Sequence, residues 1–246
     1  MAIKVRRAAY SLHNWVGLII GVQFLFWTVG GMVMTVLPLD LVRGSLSRAE
    51  TQPVTFTTVQ WQQLAQTVGE GARSVSATSL AGEPVAEVIR GDGSKVIYQF
   101  SPFRELADVS EGLARRVAEA DYFWRGAEPG SEEGRAKAVS ATLLTEEPGD
   151  FRRDLPVWQV HLNDPDGTII YVSPKSGKVL ARRNDIWRFY DFFWMLHILD
   201  FEDRSDTNNW LVIIASITAS LFMITGFILL YYRFWPWRRR NAGAAK

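Results

Sequence analysis

Histidine is the side chain best suited to bind a metal or move a proton near neutral pH. The 246-residue chain has three of them, His13, His161 and His197, and no cysteine, so thiolate chemistry and disulfides are excluded. His13, Gly17 and Gly21 follow at i, i+4 and i+8, which puts them on one face of a helix. An imidazole at the mouth of an apolar helix, with two glycines on its own face, is suited to ligate a flat macrocycle such as haem b. Gly17-x-x-x-Gly21 is equally a helix-packing motif, and both readings stand on these residues. His197 lies in an aromatic stretch, residues 185–199, with Trp187, Phe189, Tyr190, Phe192, Phe193 and Trp194. It is a second candidate ligand for haem or a metal, or a polar member of an aromatic belt. His161 alternates with Gln159 and Asn163 in a strand pattern and reads as a solvent-facing residue.

The elements that must carry these residues are two apolar runs, 14–37 and 211–232, neither of which contains a charge. About 20 helical residues cross a hydrocarbon core of roughly 30 Å, so each run is long enough to span a membrane. Every Asp and Glu falls between Asp40 and Asp206, while the ends carry only positive charge: Lys4, Arg6 and Arg7, then Arg233, Arg238, Arg239, Arg240 and Lys246. The positive-inside rule therefore places both termini in the cytoplasm and the intervening residues outside it, in the periplasm of a bacterial inner-membrane protein. The first run is too long for a signal-peptide core and has no A-x-A site after it, so it reads as an uncleaved anchor. Basic ends beside apolar spans point to a lipid bilayer, not nucleic acid. There is no Gly-rich phosphate loop, HExxH or Gly-x-Ser-x-Gly elbow, so nucleotide and hydrolase chemistry lack support. On this topology His13 lies at the inner mouth and His197 at the outer face, roughly 30 Å apart. They cannot hold one haem. A bis-histidine haem at either level needs a second subunit, from a homodimer or another membrane protein. Ala215/Ala219 and Ser216/Ser220, each at i, i+4, offer association faces on the second span.

Between the runs lies a duplication. Val75-Ser76-Ala77-Thr78, Leu80 and Glu83-Pro84 recur as Val139-Ser140-Ala141-Thr142, Leu144 and Glu147-Pro148. Ile97-Tyr98 and Ser101-Pro102 answer Ile170-Tyr171 and Ser173-Pro174, Val88 answers Val160, and Leu64-Ala65 answers Leu113-Ala114. Each copy reads as one amphipathic helix followed by an antiparallel meander. Thr57 or Thr58 caps the first helix and Ser110 the second; Leu64, Val68, Leu113 and Val117 supply the apolar faces. Strands are expected at 74–80, 85–90 and 95–100, then at 138–145, 157–162, 168–172 and 178–181. The segment 126–134, rich in Gly and Glu, reads as a mobile surface loop. Asp164-Pro-Asp-Gly reads as a hairpin turn, since a calcium loop would need further ligands.

The run 157–180, VWQVHLNDPDGTIIYVSPKSGKVL, resembles a PepSY domain, and the flanking spans are similar to the PepSY-associated transmembrane family. The motifs that carry the second resemblance are His13-Asn14-Trp15-Val16-Gly17-Leu18, Leu196-His197 and Thr225-Gly226. Larger relatives, including siderophore-iron reductases, have four or more spans where this chain has two. The resemblance implies an α+β membrane protein in which two transmembrane helices flank an exported tandem PepSY-like domain. Its parts are basic tails at 1–10 and 233–246, spans at 11–37 and 209–232, repeats at 53–105 and 107–183, and an interfacial helix at 185–199. Two functions follow as expectations. One is a haem-b electron-transfer component linked to iron-siderophore reduction. The other is a module whose sheets bind a peptide, peptidase or envelope protein.

Overall fold

The computed structural model describes residues 2–50 and 53–243, so Lys246, counted above in a basic tail, lies outside them. Helix α1 (Ala2–Val36) is followed by a short α2 (Leu39–Val42). Helix α3 (Thr58–Val68) precedes strands β1 (Ala72–Leu80), β2 (Glu83–Arg90), β3 (Lys95–Phe100) and β4 (Phe103–Glu105). Helix α4 (Glu111–Asp121) precedes β5 (Ala138–Leu144), β6 (Val157–Leu162), β7 (Ile169–Val172) and β8 (Val179–Arg183). Helices α5 (Asp185–Ile198) and α6 (Trp210–Gly243) complete the order. The chain divides into a helical unit, Met1–Leu37 with Tyr190–Lys246, and an α+β unit, Pro38–Phe189.

In the α+β unit both sheets are antiparallel meanders, ordered β1-β2-β3-β4 and β5-β6-β7-β8. Thr57 opens α3 with a capping box: its hydroxyl accepts from Gln60 N–H at 3.3 Å, and Gln60 Oε1 accepts from Thr57 N–H at 2.8 Å. Ser110 caps α4 through Leu113 N–H at 3.4 Å. Helix α3 lays Leu64 against Ala86, Val88, Val96 and Tyr98. Helix α4 lays Ala114, Val117 and Ala118 against Val160, Leu162, Ile170 and Val172. These are equivalent faces. Ala86 sits between Ala77 and Tyr98 in the first sheet as Val160 sits between Ala141 and Ile170 in the second. Helix α4 also meets the opposite face of the first sheet through Leu80, Val85 and Ile97. The layers therefore run helix, sheet, helix, sheet. The last open face, carrying Val157, Ile169, Tyr171 and Ala181, is covered by Phe151 from the β5–β6 loop.

The ladders correct the residue-by-residue match between the copies. Ala86, not Val88, is the counterpart of Val160, and Ile170, not Tyr171, that of Tyr98. A one-residue slip exchanges sheet faces, so Tyr98 faces α3 while Tyr171 faces Phe151. The change arises in the next hairpin: Val88 and Val160 both face their helices, but Tyr98 follows Val88 by 10 residues and Tyr171 follows Val160 by 11. Strand β4 was not expected from the sequence. Segment 126–134 is closed on itself, with Trp124 N–H donating to Gly134 O at 2.7 Å and Gly134 seated under the Phe123 ring.

In the helical unit, Arg6–Val36 and Trp210–Phe234 are long and apolar enough to cross a membrane. Helices α1 and α6 pack on each other along Gly17, Phe24, Phe222 and Thr225.

Candidate functional site

His13 lies in α1, within the candidate span Arg6–Val36. Helix α1 starts at Ala2 and carries no charge after Arg7, so the apolar rod begins well before Asn14. His13 is seven residues beyond Arg6, about 10 Å along the axis. Its ring stacks on Phe222 of α6, with centroids 4.2 Å apart and planes within 12°. Nδ1 lies 3.2 Å from Phe222 O and 3.1 Å from Thr225 Oγ1. A carbonyl can only accept. The Thr225 hydroxyl directs its own proton to Leu221 O or Phe222 O. Both contacts therefore suit a proton on Nδ1, and in the neutral ring that places the lone pair on Nε2. That is the tautomer a metal-bound histidine adopts when its other nitrogen donates to the protein.

The two glycines part company. A Cβ on Gly17 would lie 2.7 Å from Phe222 Cε2, so Gly17 makes room for that ring and not for an open cradle. Gly21 is exposed, with nothing within 4 Å of its Cβ position. The imidazole thus fits an axial ligand, whereas the space over Gly17 is taken by protein. Ala215 is buried within this unit, while Ser216 and Ser220 remain exposed.

His197 joins a different group. The last three carbonyls of α5 have no partner inside the helix, and each receives a side-chain donor. Gln23 Nε2 donates to Leu196 O at 3.1 Å, Trp27 Nε1 to His197 O at 2.7 Å and Asn209 Nδ2 to Ile198 O at 2.9 Å. Gly30 faces the His197 ring, where a Cβ would sit 3.6 Å from Nδ1. That Nδ1 is buried and has no hydrogen-bond partner among the described residues. Gln23, the one amide within the first apolar run after Asn14, was the signal in the sequence for this cap. His161 stays in β6 beside Gln159, with Nε2 3.3 Å from Oε1. Asp164 spends its oxygens on Tyr122, Thr168 and the turn backbone.

The α+β unit holds a cleft of about 740 Å³ between its two copies, which sequence reasoning did not find. Edge strand β1 (Thr78, Ser79), Lys178 and the first residue of edge strand β8, Val179, line it, above a buried apolar floor of Val85, Ile97 and Val117. Gly177, at φ +65°, closes one end: a Cβ there would overlap Leu80. Two carboxylates anchor the charged lining. Glu87 bridges Lys95 at 2.6 Å and Lys178 at 2.7 Å. Burial raises its pKa, but hydrogen bonds from Lys178 and then Lys95 outweigh this and hold it below the ordinary value. Asp121 pairs closely with Arg182 and lies 3.8 Å from Arg48. These residues are far apart in sequence and belong to both copies, so no motif announces them.

No curated protein and no solved structure matches the chain. The family model described as the PepSY-associated TM region matches residues 10–246, which cover all but the start of the first candidate span, the whole of the second and both sheets, and the chain therefore belongs to that family.

Proposed function

We propose that this membrane protein is an anchored binding module, and that the cleft between its PepSY-like copies receives a peptide segment of an envelope partner. The observation that carries this reading is the cleft itself: a large groove bounded by two edge strands, with charged groups held in place by their neighbours. Edge strands bind extended peptides through main-chain hydrogen bonds, and side-chain pockets set their specificity. The full chain in lipid nanodiscs, mixed with a panel of acidic, neutral and basic extended peptides, should show slowed amide exchange at residues 78–80 and 178–182. Failure of every peptide to protect these amides overturns the reading.

The basic ends support a topology with both termini in the cytoplasm and the α+β unit in the periplasm. A reporter active only outside the cytoplasm should be silent when fused after Lys246 and active when inserted near Gly130. The reverse pattern would overturn the orientation.

A second reading is favoured by the His13 tautomer, which leaves Nε2 free to ligate. In it, His13 and His197 each hold a haem b together with a histidine from another subunit, and ferric siderophore is the outer acceptor. Haem supplies one-electron transfer when bound. His13 would be oriented by Phe222 O and Thr225, and Gly30 would leave the His197 ring unobstructed on one side. Protein from haem-replete cells should then give a reduced-minus-oxidised b-type spectrum. His13→Ala should remove one part of the signal and His197→Ala another. Colourless protein would eliminate this reading and leave the binding module standing.

A further inference from the structure

We propose that the exposed edge of β1, residues 74–77, is the surface on which a second copy of this chain docks, the two strands pairing antiparallel about a two-fold axis at Ser76. This surface is separate from the cleft, whose lining in β1 begins at Thr78. The first observation is the edge itself. Strand β1 is outermost in its sheet, and Ser74, Val75, Ser76 and Ala77 are all exposed, so both faces of the strand are open there. Ala81 and Gly82, at φ +54° and +84°, join β1 to β2 as a two-residue hairpin turn, with Leu80 opposite Glu83. Such a turn makes Leu80 and Glu83 a hydrogen-bonded pair. Alternation along the ladder then turns the N–H and C=O of Val75 and Ala77 away from β2. Among the described residues, neither backbone makes a hydrogen bond outside the β1–β2 ladder.

The second observation is the other copy, which closes the corresponding groups. Ala138, opposite Leu162, has the ladder position that Val75 has opposite Val88. Lys137 bonds Asn163, so the groups of Ala138 point away from β6. There Arg115 Nη1 donates to Ala138 O at 3.1 Å, and Glu119 Oε1 accepts from Ala138 N–H at 2.9 Å. Arg115 and Glu119 follow the N-cap Ser110 at the spacing at which Gln62 and Gln66 follow the N-cap Thr57. Both glutamines are exposed, and among the described residues neither bonds to β1. Charged side chains are a usual guard of an edge, and the first copy lacks them. The third observation says what the open edge fits. Residues 53–69, which include all of α3, contain no Asp, Glu, Lys or Arg, although Val59, Trp61, Gln62 and Gln66 are exposed. Depletion of charge on exposed surface is the compositional mark of a protein interface. Val59, Gln62 and Gln66 follow at i, i+3 and i+7 and form one ridge. The two-fold axis of an antiparallel strand pair stands perpendicular to the sheet, so both α3 helices lie on one face of the joined sheet. Each ridge then faces its own copy, where like charges would repel. An amide both donates and accepts, so it pairs with its own kind. The strand is equally self-complementary: the axis at Ser76 sets Val75 of each copy opposite Ala77 of the other, in hydrogen-bonded pairs. Two copies anchored in one bilayer meet at high effective concentration, so a short seam suffices.

The chain has no cysteine, so one introduced thiol reports on one position. In the pairing proposed, Ser76 faces itself in a non-hydrogen-bonded pair with Cα atoms about 4.5 Å apart, inside the disulfide range of about 4.4–6.8 Å. The test uses the full chain in native membranes under mild oxidation, read on non-reducing gels. Ser76→Cys should form a disulfide dimer at least about tenfold faster than Thr142→Cys, an equally exposed class of position in β5. Adding Gln62→Arg with Gln66→Glu, which reproduces on α3 the pair that closes β5, should slow the cross-link by about tenfold or more. Adding Gln62→Glu with Gln66→Glu instead should slow it through like-charge repulsion, and added salt should restore it. Both are exposed helix positions, so the fold is not at stake. Cross-linking of Ser76→Cys no faster than that of Thr142→Cys overturns the proposal. A fast cross-link that neither pair of substitutions slows also overturns it, because the copies then meet through a surface other than this edge and ridge.

Discussion

Replacing Phe151 with alanine should destabilise the α+β unit by about 3–5 kcal/mol, the usual cost of emptying a buried phenylalanine site. Phe151 has no solvent exposure, although it comes from a loop between two strands. Its ring stacks on Tyr171 with centroids 4.5 Å apart, and it shares a cluster with Val157, Ile169 and Ala181. The first sheet has α3 on one face and α4 on the other, but the buried cluster on the far face of the second sheet, among the described residues, draws on no helix. The loop does that work. It is tied down on both sides of the phenylalanine: Tyr171 donates its hydroxyl proton to Asp150, Arg183 Nε donates to Asp150 O at 2.7 Å, and Arg153 Nη1 donates to Leu180 O at 3.0 Å. Burial, with the hydrogen bond to Asp150, raises the Tyr171 pKa, so the phenol stays protonated and donating. Amide exchange in β6 and β7 reads the effect directly. It should quicken by about two to four orders of magnitude in Phe151→Ala and by far less in Phe151→Leu, which keeps most of the volume. A change below about tenfold in the alanine variant would mean the loop is not the cover.

Why Phe151 escapes a sequence reading is instructive. It stands alone in a stretch of charge and turn residues, Glu146 to Asp154, and a single apolar neighbour at i+4, Leu155, makes no repeating pattern. Periodicity finds elements that repeat a pattern, and a single plug has none. The helices and the long strands do repeat one. Leu64 and Val117 mark their helix faces, and β3 and β6 have the bounds their alternation implies. Strand β4 is only Phe103–Glu105, too short to alternate. The duplication was legible because Val-Ser-Ala-Thr survives in both copies, yet its register was not. Ile97-Tyr98 and Ile170-Tyr171 match as letters but sit on opposite faces, since the second copy has one more residue between Val160 and Tyr171 than the first has between Val88 and Tyr98. The histidines illustrate the same limit. Spacing puts His13 and Gly17 on one face, but it cannot say that Phe222 occupies that face from the other helix. The cleft is further from reach, because Glu87 and Lys178 meet only after both copies have folded.

Gly177→Ala should cost about 2–5 kcal/mol, a large effect for one methyl group. Two independent terms contribute. Gly177 has φ +65°, in the left-handed region where an L residue loses about 1–2 kcal/mol. Its Cβ would also overlap Leu80 Cδ1, and overpacking of this kind typically costs about 1–3 kcal/mol. The two terms can be separated. Leu80→Ala alone should destabilise through lost burial, since Leu80 is 7% exposed within the cluster that joins the two sheets through α4. In the double variant the overlap disappears while the backbone strain remains. The pair should therefore be less harmful than the sum of the singles, by an amount close to the steric term. Strict additivity would mean that the hairpin tip does not press on Leu80. The contact matters beyond stability, because Gly177 brings the β7–β8 hairpin of the second copy against the end of β1 in the first. That approach closes one end of the cleft and sets Lys178 beside Glu87. Gly177→Ala should accordingly weaken any ligand of the cleft even under conditions where the chain stays folded, whereas Phe151→Ala, on the far face of the second sheet, should leave affinity unchanged in the folded fraction.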